Sequence, residues 1–427
     1  MKAIVVSVRG LQAGALGCYG NAWIDTPAFD ALAAGGIVFD WHHAARADAE
    51  GAGRAWRTGR YDLPTEVAAG AVENEPDLLD ALRKKEIHTR LIFDANRPCP
   101  SEFTKGWDAV ERVSTGENET PLDAVLEAVG TALERLEHRD GWLLWIDLPT
   151  LLPPWNVPQA FQEPYFIEES EEEGGGDEEE EPETEPLTPF TGVPNGLIDR
   201  EDDFLYLSLQ TSYAAAVSYV DAALGQLLEA VNGLDGGDEI LLAVTADTGQ
   251  NLGEHGLVGN SRPWLHDELI HLPMLLRLPG GAEGGRRVEA LTQDVDLAPT
   301  LADWFGVELP GVHGRSLLRL ARGLAETIRP YVCSGLQIGA ALEFALRTPQ
   351  WAFLFPAHPH EEDKGRPPQL YVKPDDRWEV NNVAQHHWEY VEQLERTLRD
   401  FVAATSQPGP LQVPPFPEVE STAPDPE

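Results

Sequence analysis

Cysteine is scarce in this chain of 427 residues: there are three, Cys18, Cys99 and Cys333. An odd and small number gives no disulfide framework. Long apolar runs are missing as well. The opening "MKAIVVSVRG" holds only a short apolar stretch before Arg9, too short for the core of a secretion signal. No stretch reaches the roughly 18 consecutive apolar residues of a membrane span. Base is in short supply against acid, with 31 Lys and Arg facing 72 Asp and Glu, for a net charge of −41. That charge repels nucleic acid and anionic lipid and argues against both as partners. These absences together lead us to expect a soluble, cytoplasmic protein.

What is present alternates between strand and helix signals. "KAIVVSV" (2–8) is short, apolar and rich in β-branched residues, as a buried parallel strand requires. "IVF" (37–39), 88–94, 141–148, 238–247 and 272–280 read as further strands. "TPAFDALAAGG" (26–36) reads as a helix with Thr26 as its cap, Pro27 in its first turn and glycines at its end. Residues 121–137 place Leu122, Val125, Val129, Leu133 and Leu136 on one helical face. Residues 202–234, 294–307 and 387–401 are also helical in pattern. Such alternation predicts an α/β protein with a mostly parallel central sheet flanked by helices. Sites in such sheets form beyond the carboxyl ends of the strands, which groups Arg9 and Gly10 with Asp247 and Thr248.

Three regions depart from the pattern. Residues 156–200 are proline-rich and contain "EESEEEGGGDEEEEPETE" (168–185), with twelve acids and no base. Too little apolar surface is available there to offset ordering entropy, so a disordered acidic insertion is expected. The main domain then runs over 1–325, a small C-terminal α+β lobe over 326–405, and a Pro-rich disordered tail over 406–427.

Several segments, in order, resemble the sulfatase family of the alkaline-phosphatase superfamily. They are "LGCYGNAWIDTPAFDALAAGGIVFD" (16–40), "RTGRY" (57–61), "YAAAVSYVDAALGQLL" (213–228), "TADTGQNLGEHGLVGN" (245–260), "LPMLLRLPG" (272–280), "QDVDLAPTLADWFGV" (293–307), "HGRSLL" (313–318) and, more weakly, "QLYVKPDDRWEVNNVA" (369–384). The resemblance implies an alkaline-phosphatase-like fold. It also implies sulfate-ester hydrolysis by a formylglycine made from Cys or Ser in a Cys/Ser-x-Pro-x-Arg signature, with a calcium ion held by oxygen ligands.

The scaffold segments survive while the implied site does not. The first acidic metal pair falls on Arg9 and Gly10, and the second on Asp247 and Thr248, leaving Asp247 as the one candidate metal ligand. Matching the signature Arg to Arg54 puts the nucleophile position at Glu50, and no Cys or Ser stands near it. The family's Lys falls near Asn260, and His266 and His271 lie where some members place a substrate-contacting His. Arg9 is expected to replace the metal charge and pair with Asp247. Arg9, Arg54, Asp247, Thr248, Asn260 and His266 would then line an anion-binding pocket. No cofactor is expected, and calcium binds only where a metal site has been rebuilt.

Three readings compete. In the favoured one the protein has lost catalysis and keeps an anion-binding or regulatory role, with a small anionic ligand or a protein partner. In the second it is a metal-dependent sulfuric or phosphoric ester hydrolase, with Asp94, Asp147 or Asp294 converging on Asp247. In the third, side chains fill the pocket and no cavity remains at the strand ends.

Overall fold

The computed structural model describes residues 1–65, 75–97, 99–116, 120–148, 151–166, 187–190, 192–199, 202–407 and 409–417. Its strands are β1 (Lys2–Val8), β2 (Ile37–His43), β3 (His88–Asp94), β4 (Ala109–Val113), β5 (Trp142–Leu148), β6 (Gly196–Leu197), β7 (Leu241–Ala246) and β8 (Leu257–Val258). They continue with β9 (His271–Leu272), β10 (Met274–Arg277), β11 (Arg286–Gln293), β12 (Val332–Ile338), β13 (Ala341–Arg347), β14 (Trp351–His358) and β15 (Gln369–Val372). The first helices are α1 (Pro27–Gly35), α2 (Ala49–Thr58), α3 (Leu78–Lys84), α4 (Pro121–Leu136) and α5 (Gln159–Gln162). They are followed by α6 (Asp203–Asn232), α7 (Asp267–Ile270), α8 (Leu297–Phe305), α9 (Leu318–Ala321) and α10 (Trp388–Thr405).

The central sheet has the order β11-β2-β10-β7-β1-β5-β3-β4, with β9 beside β2. Its pairings are parallel except those of β10 and β9. β1 shows why the sheet is buried on both sides. Ile4, Val6 and Val8 join the core under α1, α4 and α6, while Ala3 and Val5 join the core under α2, α3, α8 and α9. Period-2 alternation with apolar residues on both faces yields the continuous apolar run seen in the sequence.

A second, antiparallel sheet, β12-β13-β14-β15, carries α10 on one face. It hangs on the chain between β2 and α2: Gly335 N donates to Ala45 O at 2.9 Å and Ser334 Oγ to Ala44 O at 2.6 Å.

Local details correct several expectations. Thr26 holds the N-cap position of α1 as expected, but its hydroxyl does not cap the helix and accepts instead from Gly17 N at 2.9 Å. The first N–H groups of α1 go instead to Asp221 of α6, from Ala28 at 3.0 and 3.1 Å and from Phe29 at 2.9 Å. α6 is one helix, long and apolar enough to cross a membrane, and here it packs through Leu209, Tyr213, Val217 and Leu224 against the sheet.

The acidic run 168–185 lies outside the described residues. Its flanks are packed, so the disordered insertion expected over 156–200 is too broad. Tyr165 Oη lies 2.6 Å from Ser218 Oγ, and Phe190 N donates to Ser212 Oγ at 2.9 Å. The tail expected from 406 is likewise held at its start. Tyr331 Oη donates to Pro414 O at 2.9 Å, and the Tyr331 and Phe416 rings lie 5.4 Å apart.

Asp221 ties α1 to α6, so Asp221→Ala should destabilise the protein by about 1–3 kcal/mol through two stranded N–H groups. Asp221→Asn, which keeps an acceptor, should cost less. Urea denaturation of the two variants checks the order; equal midpoints would contradict it.

Candidate functional site

Three neighbouring strands deliver the side chains. β1 lies between β5 and β7, with Ser7 opposite Asp147 and Val8 opposite Ala246. Arg9, Asp147 and Asp247 therefore meet at the carboxyl edge of the sheet, at 5%, 6% and 2% exposure. Gly10 turns the chain away there with φ +80°, a conformation natural to glycine. Tyr213 of α6 holds this turn, donating from Oη to Gly10 O at 2.8 Å.

Arg9 pairs with Asp147, not with Asp247 as expected. Its Nη2 lies 2.6 Å and its Nε 2.9 Å from Asp147 Oδ2. Asp147 Oδ1 accepts from Ser7 Oγ at 3.0 Å, and Trp145 Nε1 donates to that hydroxyl at 2.9 Å. Burial works against the Arg9 charge, but Asp147 outweighs it and holds the guanidinium protonated. Asp247 accepts from Gly10 N at 3.3 Å and Thr248 N at 2.8 Å. Burial pushes its pKa up to about 7; Arg9 opposes that shift and the nearby Asp147 adds to it.

The opposite wall comes from α2, capped by Asp48, whose carboxylate accepts from Gly51 N at 2.7 Å. Ala49, Gly53 and Trp56 face the strand ends, and Cys99, Pro100 and Phe103 close the space. The remaining cavity is about 10 Å³, near the least that admits one water. The Trp56 ring lies 5.1 Å from Trp145 and 5.9 Å from Phe103. A Cβ added at Gly53 would meet Phe103 Cβ at 3.2 Å, so this wall is already close-packed.

The register of α2 is one residue from the expected one. The Glu50 side chain is 80% exposed and 3.8 Å from Arg46. Arg54 points outward too, with its Nη2 2.8 Å from Glu75. Counting back without a gap from Thr58–Gly59, the pocket-facing pair at the signature spacing is Ala49 and Gly53. Neither carries a nucleophile or a charge.

The other expected site residues are dispersed. Thr248 is buried, but its hydroxyl donates to Leu269 O at 3.3 Å. Asn260 is exposed beyond β8. His266 is buried elsewhere, with Nδ1 2.7 Å from Glu379 Oε2 and its ring stacked on His255. His271 Nε2 lies 2.7 Å from Asp40 O. Asp94 accepts from Asn96 N at 2.9 Å and Asp294 from Ala45 N at 3.1 Å, and neither lines the pocket. Of the acids proposed to join Asp247, only Asp147 does.

Cys99 was missed by sequence reasoning. Burial pushes its thiol up to about 12, and Asp147 adds to that, so it is no activated nucleophile despite Arg9 beside it. A calcium ion would ask for 6–8 oxygens in an open cage. The strand ends offer two carboxylates, one held by a guanidinium, around a 10 Å³ void. The residues do not fit that ion.

Open space lies elsewhere. A groove of about 660 Å³ runs between the main and C-terminal lobes, lined by Trp41, Glu268, Arg287, Lys373, Arg377 and Trp378 among others.

The family model described as Sulfatase matches residues 3–307. An N-acetylglucosamine-6-O-sulfatase of Bacteroides thetaiotaomicron is 33% identical over 113 residues, 26% of this chain and 20% of that protein. Arylsulfatase K of Mus musculus is 26% identical over 206 residues, 46% of this chain and 36% of that protein. The matched stretch thus spans about a third or less of these relatives' length. The crystal structure of a phosphonate monoester hydrolase of Agrobacterium radiobacter superposes with a TM-score of 0.73 at 18% identity, covering 95% of this chain and 96% of that one.

Asp247 yields a pH prediction. Its folded pKa, about 7, lies above the usual 3.8, so the folded protein keeps a proton that the unfolded chain has lost. Stability from this group is full below pH 3.8 and falls as pH rises to about 7. Asp247→Asn removes that fall. The urea midpoint of the variant minus that of the wild type should therefore grow across this window; a flat difference would refute the assignment.

Proposed function

We infer the function from one premise: this chain belongs to the sulfatase family. Its fold is the alkaline-phosphatase-like one, a mostly parallel sheet between helices with a C-terminal antiparallel sheet. Members of the family usually employ a divalent metal, most often calcium. Within the family, we read this protein as a member without sulfatase catalysis that keeps a binding or regulatory role.

The observation that carries the reading is the Arg9–Asp147 pair sealed at the strand ends. Sulfate-ester hydrolysis needs a nucleophile, a cation facing the ester oxygens and an acid for the leaving group. Ala49 offers no nucleophilic atom and Gly53 no cation. The Arg9 charge is spent on Asp147, and the remaining void has no room for a sulfate group. Loss of a nucleophile alone costs about 10⁶ in turnover in hydrolases.

This arrangement also moves anion binding away from Arg9. The groove between the lobes is the open space for a small anionic ligand or a protein partner; Arg287 and Lys373 there are paired with Asp40 and Asp267, which leaves Arg377 as the cation to meet an anion. Arg377 stands there over the Trp378 ring at 5.0 Å. The reading includes a cytoplasmic setting and no nucleic-acid or membrane partner, in keeping with the charge of −41.

Full-length protein with calcium should turn over aryl sulfates and phosphonate monoesters no faster than its Asp247→Asn variant. Calcium titrations of the two should superimpose, because ions held by exposed acids are common to both. Turnover or a tight calcium equivalent that disappears in Asp247→Asn would overturn the reading in favour of a metal-dependent ester hydrolase.

A further inference from the structure

The turn before β8 and the start of α7 bring together a set of ligands that the strand-end pocket does not use. His255, His266 and Glu268 each bring one ligand atom to within 4.8 Å of the others, and among the described residues no other group of three does so. We propose that His255, His266 and Glu268 form a binding site for a borderline divalent metal of the zinc type, at the edge of the groove between the lobes.

The ligand types select the metal. Two imidazoles and one carboxylate suit zinc and its neighbours, whereas calcium takes oxygen alone. Three protein ligands are also the number that leaves a tetrahedral ion one open position. Glu268 lines the 660 Å³ groove, so the site would lie beside that space.

Two observations point to a missing ligand. Glu268 Oε2 is buried with no hydrogen-bond partner, its side chain 9% exposed. His255 Nε2 is likewise without one, and its 3.4 Å separation from Glu268 Oε1 is too long to satisfy either group well. A buried carboxylate oxygen without a partner, beside an imidazole nitrogen served only by a long 3.4 Å ion pair, leaves both groups underused. A cation between them would satisfy both.

The surroundings are those of a metal-binding histidine. His266 Nδ1 lies 2.7 Å from Glu379 Oε2, which fixes the ring and directs its Nε2 lone pair outward. Glu379 is in turn held by Arg347 Nη2 at 2.7 Å and Lys373 Nζ at 3.1 Å. The metal ligands thus come from the main lobe and their support from the C-terminal lobe. The His255 and His266 rings are stacked, with centroids 3.7 Å apart and planes at 13°. Lone pairs lie in the ring planes, so with His266 fixed by Glu379 a shared ion requires the His255 ring to turn out of the stack.

The experiment uses full-length protein freed of metal with a chelator, then titrated with Zn²⁺ by calorimetry and with Co²⁺ in a visible spectrometer. Cobalt reports geometry: four-coordinate nitrogen and oxygen sites absorb far more strongly than octahedral ions on scattered carboxylates. One zinc equivalent and a strong cobalt band are expected, both lost in Glu268→Gln and in His255→Ala. Glu379→Gln should keep the band with affinity lower by about 10–100-fold. Circular dichroism confirms that each variant folds, and where one does not, the other decides. Absence of a strong cobalt band in the wild type, or a band unchanged in the folded variants, would overturn the proposal.

Discussion

The carboxyl edge of the central sheet is organised by one buried ion pair, Arg9 with Asp147. Two charges taken out of water recover their desolvation only when the geometry is good and the spare lone pairs are also met. Here the Ser7 hydroxyl meets the second oxygen of Asp147, and the Trp145 indole holds that hydroxyl. The chain of contacts runs across β1 and β5, so the pair depends on their register and also secures it. Asp247, left with backbone N–H groups, becomes the group with the raised pKa.

Among the described residues, the α2 wall facing this pair is small or aromatic. Ala49 and Gly53 bring the α2 backbone close, and Trp56, Phe103 and Trp107 pack on Trp145 behind it. A site meant to admit an anion would keep its cation unpaired and its walls apart. This one neutralises the cation and closes the walls, which is how a core is built. At the seam between the lobes, by contrast, His255 Nε2 and Glu268 Oε2 keep unmet hydrogen-bonding capacity side by side.

Much of the scaffold was legible in the sequence because both faces of β1, β5 and β7 are buried, which writes an unbroken apolar run. α6 and α4 were legible from their helical spacing. β11, "RRVEALTQ", and β4, "AVERV", were not, since each carries charges at the sheet margin that mask its strand character. The site was harder. Each residue of a helix turns by about 100°, so a register error of one exchanged the pocket-facing Gly53 for the solvent-facing Arg54. Arg9 was correctly singled out as a charge at the strand end. Its partner was misassigned because Asp147 and Asp247 flank it on neighbouring strands, and a linear sequence does not rank two such neighbours. Cys99 and Phe103 carried no signal at all, being brought in by a loop of irregular structure.

The segment after α10 bears on how the molecule can be assembled. Arg60, at the exit of α2, is 4% exposed, and its guanidinium finds acceptors at Gln407 O and Gly409 O, both at 3.2 Å. A buried guanidinium needs its acceptors before it can leave water. The shortest contact of Arg60, Nη1 to Gly311 O at 2.5 Å, lies about 250 residues away, and the last two acceptors almost 350, so the full set around this guanidinium is complete only when the end of the described chain is in place. Long-range closure of this kind delays the last step of folding. It also makes Gln407 and Gly409 a clasp on α2, so that removing the chain from Gln407 onward would reopen a corner far away in sequence.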